Sequence, residues 1–599
     1  MRHRQLRILS AALLVGLLLG PTGSLAAGDS KGVQPRVETL DNGLKMLLVE
    51  RHEEPTVAAG VFYKVGSVND PAGKSGIAHL FEHMLFKGSN VIGTSDYEAE
   101  RTFIEQQDAL RATMNAEMNR MRLMKRRGEI TDVLDPEQWT DEYRKLKAQY
   151  DELIEAQRRY IKNNELANLY SANGGARLNA GTGEDMTMYY VQLPSNKLEL
   201  FFWLESDRMA NGIMREFYVE RDNVREERRL RTESTPTGKF REAFEALFWQ
   251  SHPYGVPVLG WASEVESITR DDVRGFYKTY YAPNNATLVM VGDFDSQQAM
   301  KLARQYFGRI PACPNPPEPM VTEEPPPIAE RRFYAEAETN PQVQVRYHAV
   351  AIGHKDEAAL DVLGELLSGK TGRLYKRLVT EEDAAIGQPR AGNGASKYAG
   401  YFELSAVVKE DHTPEQVEQI ILEEVDKLRE GEITDYELQK VKNQVLASSV
   451  RRLQRSIGLM FQLGIYETWY KWEYINESPE RMLQVTADDV RRVVKKYFDP
   501  KTRTVAIYRT KEGAPTDMDP ELAALLADVP QDQHEQVKMM IDQIKQATDP
   551  DRLRQRVERM EQMAGSDQAP EEQKAMFEYM VKVLKARLAE LEAANEETE

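Results

Sequence analysis

The chain has 599 residues and a formal net charge of −18, with 96 acidic against 78 basic side chains. That length exceeds one ordinary hydrophobic core, so roughly two to four domains are expected. The acidity argues against a nucleic-acid partner, because phosphate contacts need clustered Lys and Arg, and a single cysteine, Cys313, excludes an intrachain disulfide.

Residues 1–26 carry the pattern of a secretory signal. Arg2, Arg4 and Arg7 form a basic start, Ile8 to Gly20 is apolar, and Ser24-Leu25-Ala26 places small residues before a cleavage point. No cysteine follows the cut to take a lipid anchor, and no later apolar run reaches the length of a membrane span. An exported protein that is not integral to the membrane is expected, periplasmic in a Gram-negative cell and otherwise secreted.

Arg36 to Val49 alternates apolar and polar residues around Asp41-Asn42-Gly43, a hairpin signal. Val57 to Val65 reads as a further strand, and Gly66-Ser67 and Asp70-Pro71-Ala72-Gly73 then break the chain. Next comes Gly76-Ile77-Ala78-His79-Leu80-Phe81-Glu82-His83-Met84, whose core is His-x-x-Glu-His. On a helix, His79 and His83 share one face, as two imidazole ligands of a single metal must. Glu82 lies close enough to hold and deprotonate a water there. This is the zinc-protease motif HExxH read backwards, the inverzincin pattern.

From about 98 to 164 the chain is rich in Glu, Gln, Lys, Arg, Met and Ala, with almost no Gly or Pro. It reads as an inserted pair of long charged helices, broken at Asp135-Pro136 and ended by Gly174-Gly175. Met186 to Leu193 is a strand, Leu198 to Met209 an amphipathic helix and Thr287 to Val291 a buried strand. Between them, Glu220 to Glu227 lies in a strongly helical run. Glu220 and Glu227 are almost two full turns apart and share a face, whereas Glu226 is rotated away. If one carboxylate binds a metal and another supports it, Glu220 and Glu227 make the natural pair.

Eight prolines between Pro311 and Pro327 mark 311–328 as an extended linker, separating an N-terminal unit, 34–310, from a second, 329–510. Gln342 to Ala351 (strand), Glu357 to Leu367 (helix), a turn at Gly369-Lys370-Thr371-Gly372, a helix from Arg373 and Tyr401 to Val408 (strand) echo the order of the first unit. A duplicated α+β unit follows. The second copy has no His-x-x-Glu-His. Residues 511–599 read as a polar helical extension, broken at Asp549-Pro550 and Ala569-Pro570.

Several of these stretches together resemble the pitrilysin-like metallopeptidases, which include insulin-degrading enzyme and the mitochondrial processing peptidase. They are Gly66-Ser67 with the His79 motif, Leu178-Asn179-Ala180, Glu220 to Glu227 and His252-Pro253-Tyr254-Gly255. Tyr281-Ala282-Pro283-Asn284-Asn285, Val291-Gly292-Asp293-Phe294 and Arg373-Leu374-Tyr375 complete the set, which runs from about 36 to 510. The resemblance implies one zinc ion on His79, His83 and Glu227, with Glu82 as general base and Glu220 as a supporting acid. It implies two α+β roll halves, each a sheet with helices packed on one face, facing across a chamber. A substrate peptide or unfolded polypeptide would add as a strand to a sheet edge, which the stretch following Asn179 and Ala180 would form, with those two residues as substrate contacts. The long gap between His83 and Glu227 is accounted for by the charged insertion.

One departure stands out. Active members of the family carry an Arg and, seven residues later, a Tyr in the second half, and here Val379 and Ile386 occupy those places. Arg377 is nearby, with Ala384 seven beyond it, and Tyr398 and Tyr401 are other candidates. Two readings follow: a zinc endopeptidase complete in itself, or a peptide-binding or half-catalytic subunit that relies on a partner in a homo- or heterodimer.

Overall fold

The computed structural model describes residues 32–511 apart from 410 and 432, and beyond them 537, 540, 541, 543, 544, 547, 550–564 and 571–596. The signal-like segment 1–26, Asp549 and Ala569-Pro570 lie outside the described residues. Among the described residues no helix is long and apolar enough to cross a membrane.

Two sheets organise the chain. The first contains β1 (Arg36–Thr39), β2 (Lys45–Glu50), β3 (Thr56–Tyr63), β4 (Ala176–Thr182), β5 (Thr187–Pro194) and β6 (Ala286–Gly292), in the order β1-β2-β6-β3-β5-β4. The second contains β7 (Arg331–Ala337), β8 (Gln342–Ala349), β9 (Ala385–Ala395), β10 (Gly400–Val408) and β11 (Thr504–Thr510), in the order β7-β11-β8-β10-β9. β6 runs parallel to β2 and antiparallel to β3, as β11 runs parallel to β7 and antiparallel to β8. The duplicated α+β unit expected from the sequence is therefore present, with β1 as an addition to the first copy.

Strand composition follows position. β5 alternates buried and half-buried residues, as a strand near a sheet edge does, whereas β3 and β6 are buried almost throughout. Helices of the first half cover one face of this central pair. The other is covered by the helix Ser456–Trp469, which comes from the second half of the chain. Gly464 lets that helix close on the Phe62 ring, since a Cβ there would lie 2.3 Å from it. Phe461 stacks edge-on against Tyr190, and Glu467 binds Lys45 at 2.8 Å. The near-continuous apolar run of β3 is thus explained by burial on both faces.

The first half carries α1 (Ile77–Met84), α2 (Tyr97–Arg126), α3 (Asp141–Arg158), α4 (Glu165–Ala172), α5 (Leu198–Asn211) and α6 (Phe217–Arg228). α2 and α3 are the expected insertion, and the Asp135 side chain caps the short turn that begins at Pro136. The hairpin is fixed at its root by buried polar groups. Glu100 is fully buried and pairs with Arg215 at 2.7 Å, while Gln157 donates to Glu100 and accepts from Gln107. Arg215 also donates to the carbonyls of Lys87, Ser89 and Ile92, in the loop after α1.

Removing one partner of such a pair leaves an uncompensated buried charge. Arg215→Met is expected to lower stability by about 3–5 kcal/mol, measured by urea unfolding. A loss below about 1 kcal/mol, the range of surface pairs, would show that Glu100 finds another partner.

Candidate metal centre

α1 starts at a forced point. Gly76 takes φ 87°, and a Cβ there would lie 2.8 Å from the Leu259 carbonyl oxygen. The Asp70 carboxylate accepts from the amides of Gly76 and Ala78 at 2.7 and 3.1 Å, satisfying donors that the first helical turn leaves open. Ile77, Ala78, Leu80, Phe81 and Met84 are buried, which aims His79, Glu82 and His83 across the helix toward α6.

α6 meets that face with Glu220 and Glu227. His83 Nε2 lies 3.3 Å and His79 Nε2 3.8 Å from Glu227 Oε2. One ligand atom from each of His79, His83 and Glu227 falls within 4.8 Å of the other two. Nitrogen and oxygen ligands about 2.0–2.1 Å from a tetrahedral zinc lie roughly 3.3 Å apart, so the three groups fit such an ion. Glu220 Oε2 sits 3.5 Å from His83 Nδ1, the nitrogen turned away from this point. A carboxylate behind a ligating imidazole is the usual supporting arrangement. His79 departs from it: its Nδ1 is buried and has no hydrogen-bond partner among the described residues.

Glu82 lies beside the three. Its Oε2 accepts from the Thr182 hydroxyl at 2.6 Å, and burial pushes its carboxyl above the ordinary range against the pull of that bond. Burial holds the His79 imidazole down at about 4, hence neutral, as a metal ligand must be. Burial also opposes charge on His83, but hydrogen bonds to Glu220 and Glu227 prevail and raise it to about 9. Glu220 and Glu227 are held below the usual carboxylate range, burial being outweighed by His83 together with Lys87 at Glu220 and by His83, His79 and Arg231 at Glu227.

Three supporting residues were not singled out by the sequence reading. Lys87 lies 2.6 Å from Glu220 Oε1, Arg231 lies 2.9 Å from Glu227 Oε1, and Thr182 binds Glu82. Lys87 and Arg231 each follow a predicted site residue by four positions, a helical spacing that carried a signal. Thr182 had none, because its position depends on where β4 ends. Glu226 points outward and pairs with Arg229, as its rotation on the helix required.

Asn179 and Ala180 lie inside β4, the edge strand of the first sheet, rather than before it, and the strand ends at Thr182. A bulge interrupts its pairing between Ala176 and Asn179, with Arg177 at φ 55°, and pairing with β5 is regular from Asn179 to Thr182. In the second half, Val379 lies in a wide helical turn, Lys376–Glu381, and Ile386, on β9, pairs with Val407 of β10. Arg377 is surrounded by Glu381, Glu382, Glu423 and Glu424. Tyr398 and Tyr401 pack on a cluster of Phe248, Trp249 and Tyr254 from the first half.

Comparison with known proteins finds relatives of this chain among the peptidases. Residues 45–124 match the family described as insulinase (peptidase family M16), and residues 267–445 match the peptidase M16 inactive domain. A zinc protease, PqqE, of Helicobacter pylori is 26% identical over 520 residues, covering 84% of this chain and 99% of its own. A mitochondrial-processing peptidase subunit beta of Arabidopsis thaliana is 23% identical, covering 78% of this chain and 77% of its own. Among solved structures, a protease from Helicobacter pylori superposes with a TM-score of 0.64 at 24% identity, over 80% of this chain and all of the other. The first half of the periplasmic protease PqqL from Escherichia coli does so at 0.59 and 17% identity, over 83% and 97%. Two topologically equivalent α+β units, an inverted zinc motif and these likenesses agree: the chain belongs to the pitrilysin-like M16 peptidase family.

Proposed function

We propose that the chain is an exported zinc-dependent endopeptidase that hydrolyses peptides or unfolded polypeptides held as an added strand along β4. The observation that carries this reading is the meeting of His79, His83 and Glu227 beside Glu82, with Glu82 tied through Thr182 to the end of an edge strand. The units 34–310 and 329–510 serve as its two halves, joined by 311–328, with 511–599 as a helical extension. Residues 1–26 serve as the export signal, in keeping with the periplasmic setting of the Escherichia coli neighbour.

Zinc held by His79, His83 and Glu227 would supply Lewis-acid polarisation of the scissile carbonyl and acidify a water. The chain's own residues do the rest. Glu82 takes the proton from the attacking water and passes it to the leaving amine, a role for which a carboxylate raised by burial above its ordinary range is suited. Lys87 and Asn223 hold Glu220 at 2.6 and 2.8 Å, and Glu220 orients His83. β4 is paired on one side only, so its free backbone groups offer ladder bonds to an extended peptide, with Asn179 and Ala180 as contacts. Recognition through backbone makes sequence selectivity modest.

A second reading has its own support. Val379 and Ile386 stand where the family's substrate-binding Arg and Tyr are expected, Arg377 is committed to acids, and Tyr398 and Tyr401 are packed between the halves, so none of these candidates supplies the pair. The chain would then act as a half-catalytic, peptide-binding subunit whose partner brings those groups. Peptide cleavage by the purified chain, abolished by chelator and restored by zinc, supports the first reading. Chelator-insensitive or absent turnover in a zinc-loaded sample supports the second.

Glu82→Gln is expected to retain zinc and lose about 10²–10⁴-fold in peptide cleavage. Near-normal turnover in that variant removes Glu82 from the base role. Lys87→Met, which frees Glu220, is expected to weaken zinc roughly ten-fold in a chelator competition, and unchanged affinity would show that Glu220 needs no such anchor.

A further inference from the structure

Away from the metal centre, a cavity of about 250 Å³ opens beside the helical insertion, between the later half of α2, the start of α3 and the loops holding Lys74 and Ser267. Arg111, Asn115, Asn119 and Arg122 of α2 line it, spaced so that they share one face of the helix. Every one of these side chains presents hydrogen-bond donors.

Among the described residues neither arginine of this face has a carboxylate within ion-pair distance, although Glu266 shares the cavity and Asp222 lies near enough to feel Arg111. Seven arginines are buried among the described residues, and six have a carboxylate within ion-pair distance. The seventh is Arg111, 6% exposed, in a chain whose acids outnumber its bases by 18. Its only side-chain hydrogen bond among the described residues is a weak one to Met114 Sδ at 3.8 Å, and its Nε has no partner. The Tyr218 and Tyr150 rings, 4.4 and 5.3 Å from its guanidinium carbon, fix its plane without neutralising it. Among the described residues Arg122 likewise has no carboxylate partner and bonds the Asn119 amide oxygen at 2.8 Å. The other charged groups of the wall are already engaged. Glu266 binds Arg221 at 2.8 Å, and Lys74 binds Asp272 at 2.8 Å and the Ser267 carbonyl at 2.7 Å.

We propose that this cavity binds a small divalent oxyanion, of the phosphate or dicarboxylate class, through Arg111 and Arg122 with the Asn115 and Asn119 amides as further donors. Its volume suits an ion of that kind better than a drug-sized ligand, and two arginine forks are the groups best matched to such oxygens. A bound anion would tie the insertion to the loop of Lys74, which leads directly into Ser75, Gly76 and α1.

Isothermal titration of inorganic phosphate, and separately of malonate, into the full chain at constant ionic strength tests the assignment. Saturable binding of either ion is expected, and the tighter one identifies the class. Affinity should fall at least ten-fold in Arg111→Met and in Arg122→Ala, and stay unchanged in Arg126→Ala, an exposed control on the same helix. If Arg111→Met does not fold, Arg122→Ala decides alone. No saturable binding, or equal affinity in wild type and Arg122→Ala, would overturn the proposal.

Discussion

The packing of α1 against α6 is the contact on which the candidate site depends. Neither helix could assemble it alone. α1 offers two imidazoles one turn apart, α6 offers two carboxylates two turns apart, and only their meeting brings Glu227 to within 3.3 and 3.8 Å of both histidines. Around that contact every carboxylate has a stated job. Glu227 faces the metal position on one oxygen and Arg231 on the other, and Glu220 is held between His83, Lys87 and Asn223. Glu220, Glu227, His83 and Lys87, crowded in a part-buried space, stay in one arrangement because each is satisfied on more than one side.

The same contact explains why distant parts of the chain are built as they are. Asp70 and Gly76 fix where α1 begins, and Arg215 ties the loop after it to Glu100 at the base of the insertion. The insertion therefore does more than lengthen the chain between the metal-facing residues: its root is part of the frame that holds α1. On the other face of the first sheet, the helix Ser456–Trp469 seals β3 and β6, so the second half is needed to bury the first half's core. A sheet so covered keeps its central strands rigid and leaves β4 as the free edge beside Glu82.

Legibility varied with the range of the cause. The hairpin at Asp41-Asn42-Gly43, the helix Glu357–Leu367 and the break at Asp135-Pro136 were readable because turn chemistry, capping and periodicity act over a few residues. β9 was missed, since Gly387, Pro389, Gly392 and Gly394 read as loop until β10 pairs with them. β7 and β11 were missed for a related reason, being a parallel pair joined across the whole second half. The helix Ser456–Trp469 gave no hint that its partner would be the opposite half.

By itself the sequence determined the chemistry on offer: which residues form each helical face, that one copy of the duplicated unit carries His-x-x-Glu-His and the other does not, and that Val379 and Ile386 stand where Arg and Tyr were expected. Those are properties of spacing and residue type, which no fold can alter. The tertiary structure alone decided that Thr182 reaches Glu82, that Asn179 and Ala180 lie within the edge strand, and that Tyr398 and Tyr401 are spent in packing between halves. Each of these depends on where separate elements stop and cross, and such distances follow from packing rather than from any local pattern.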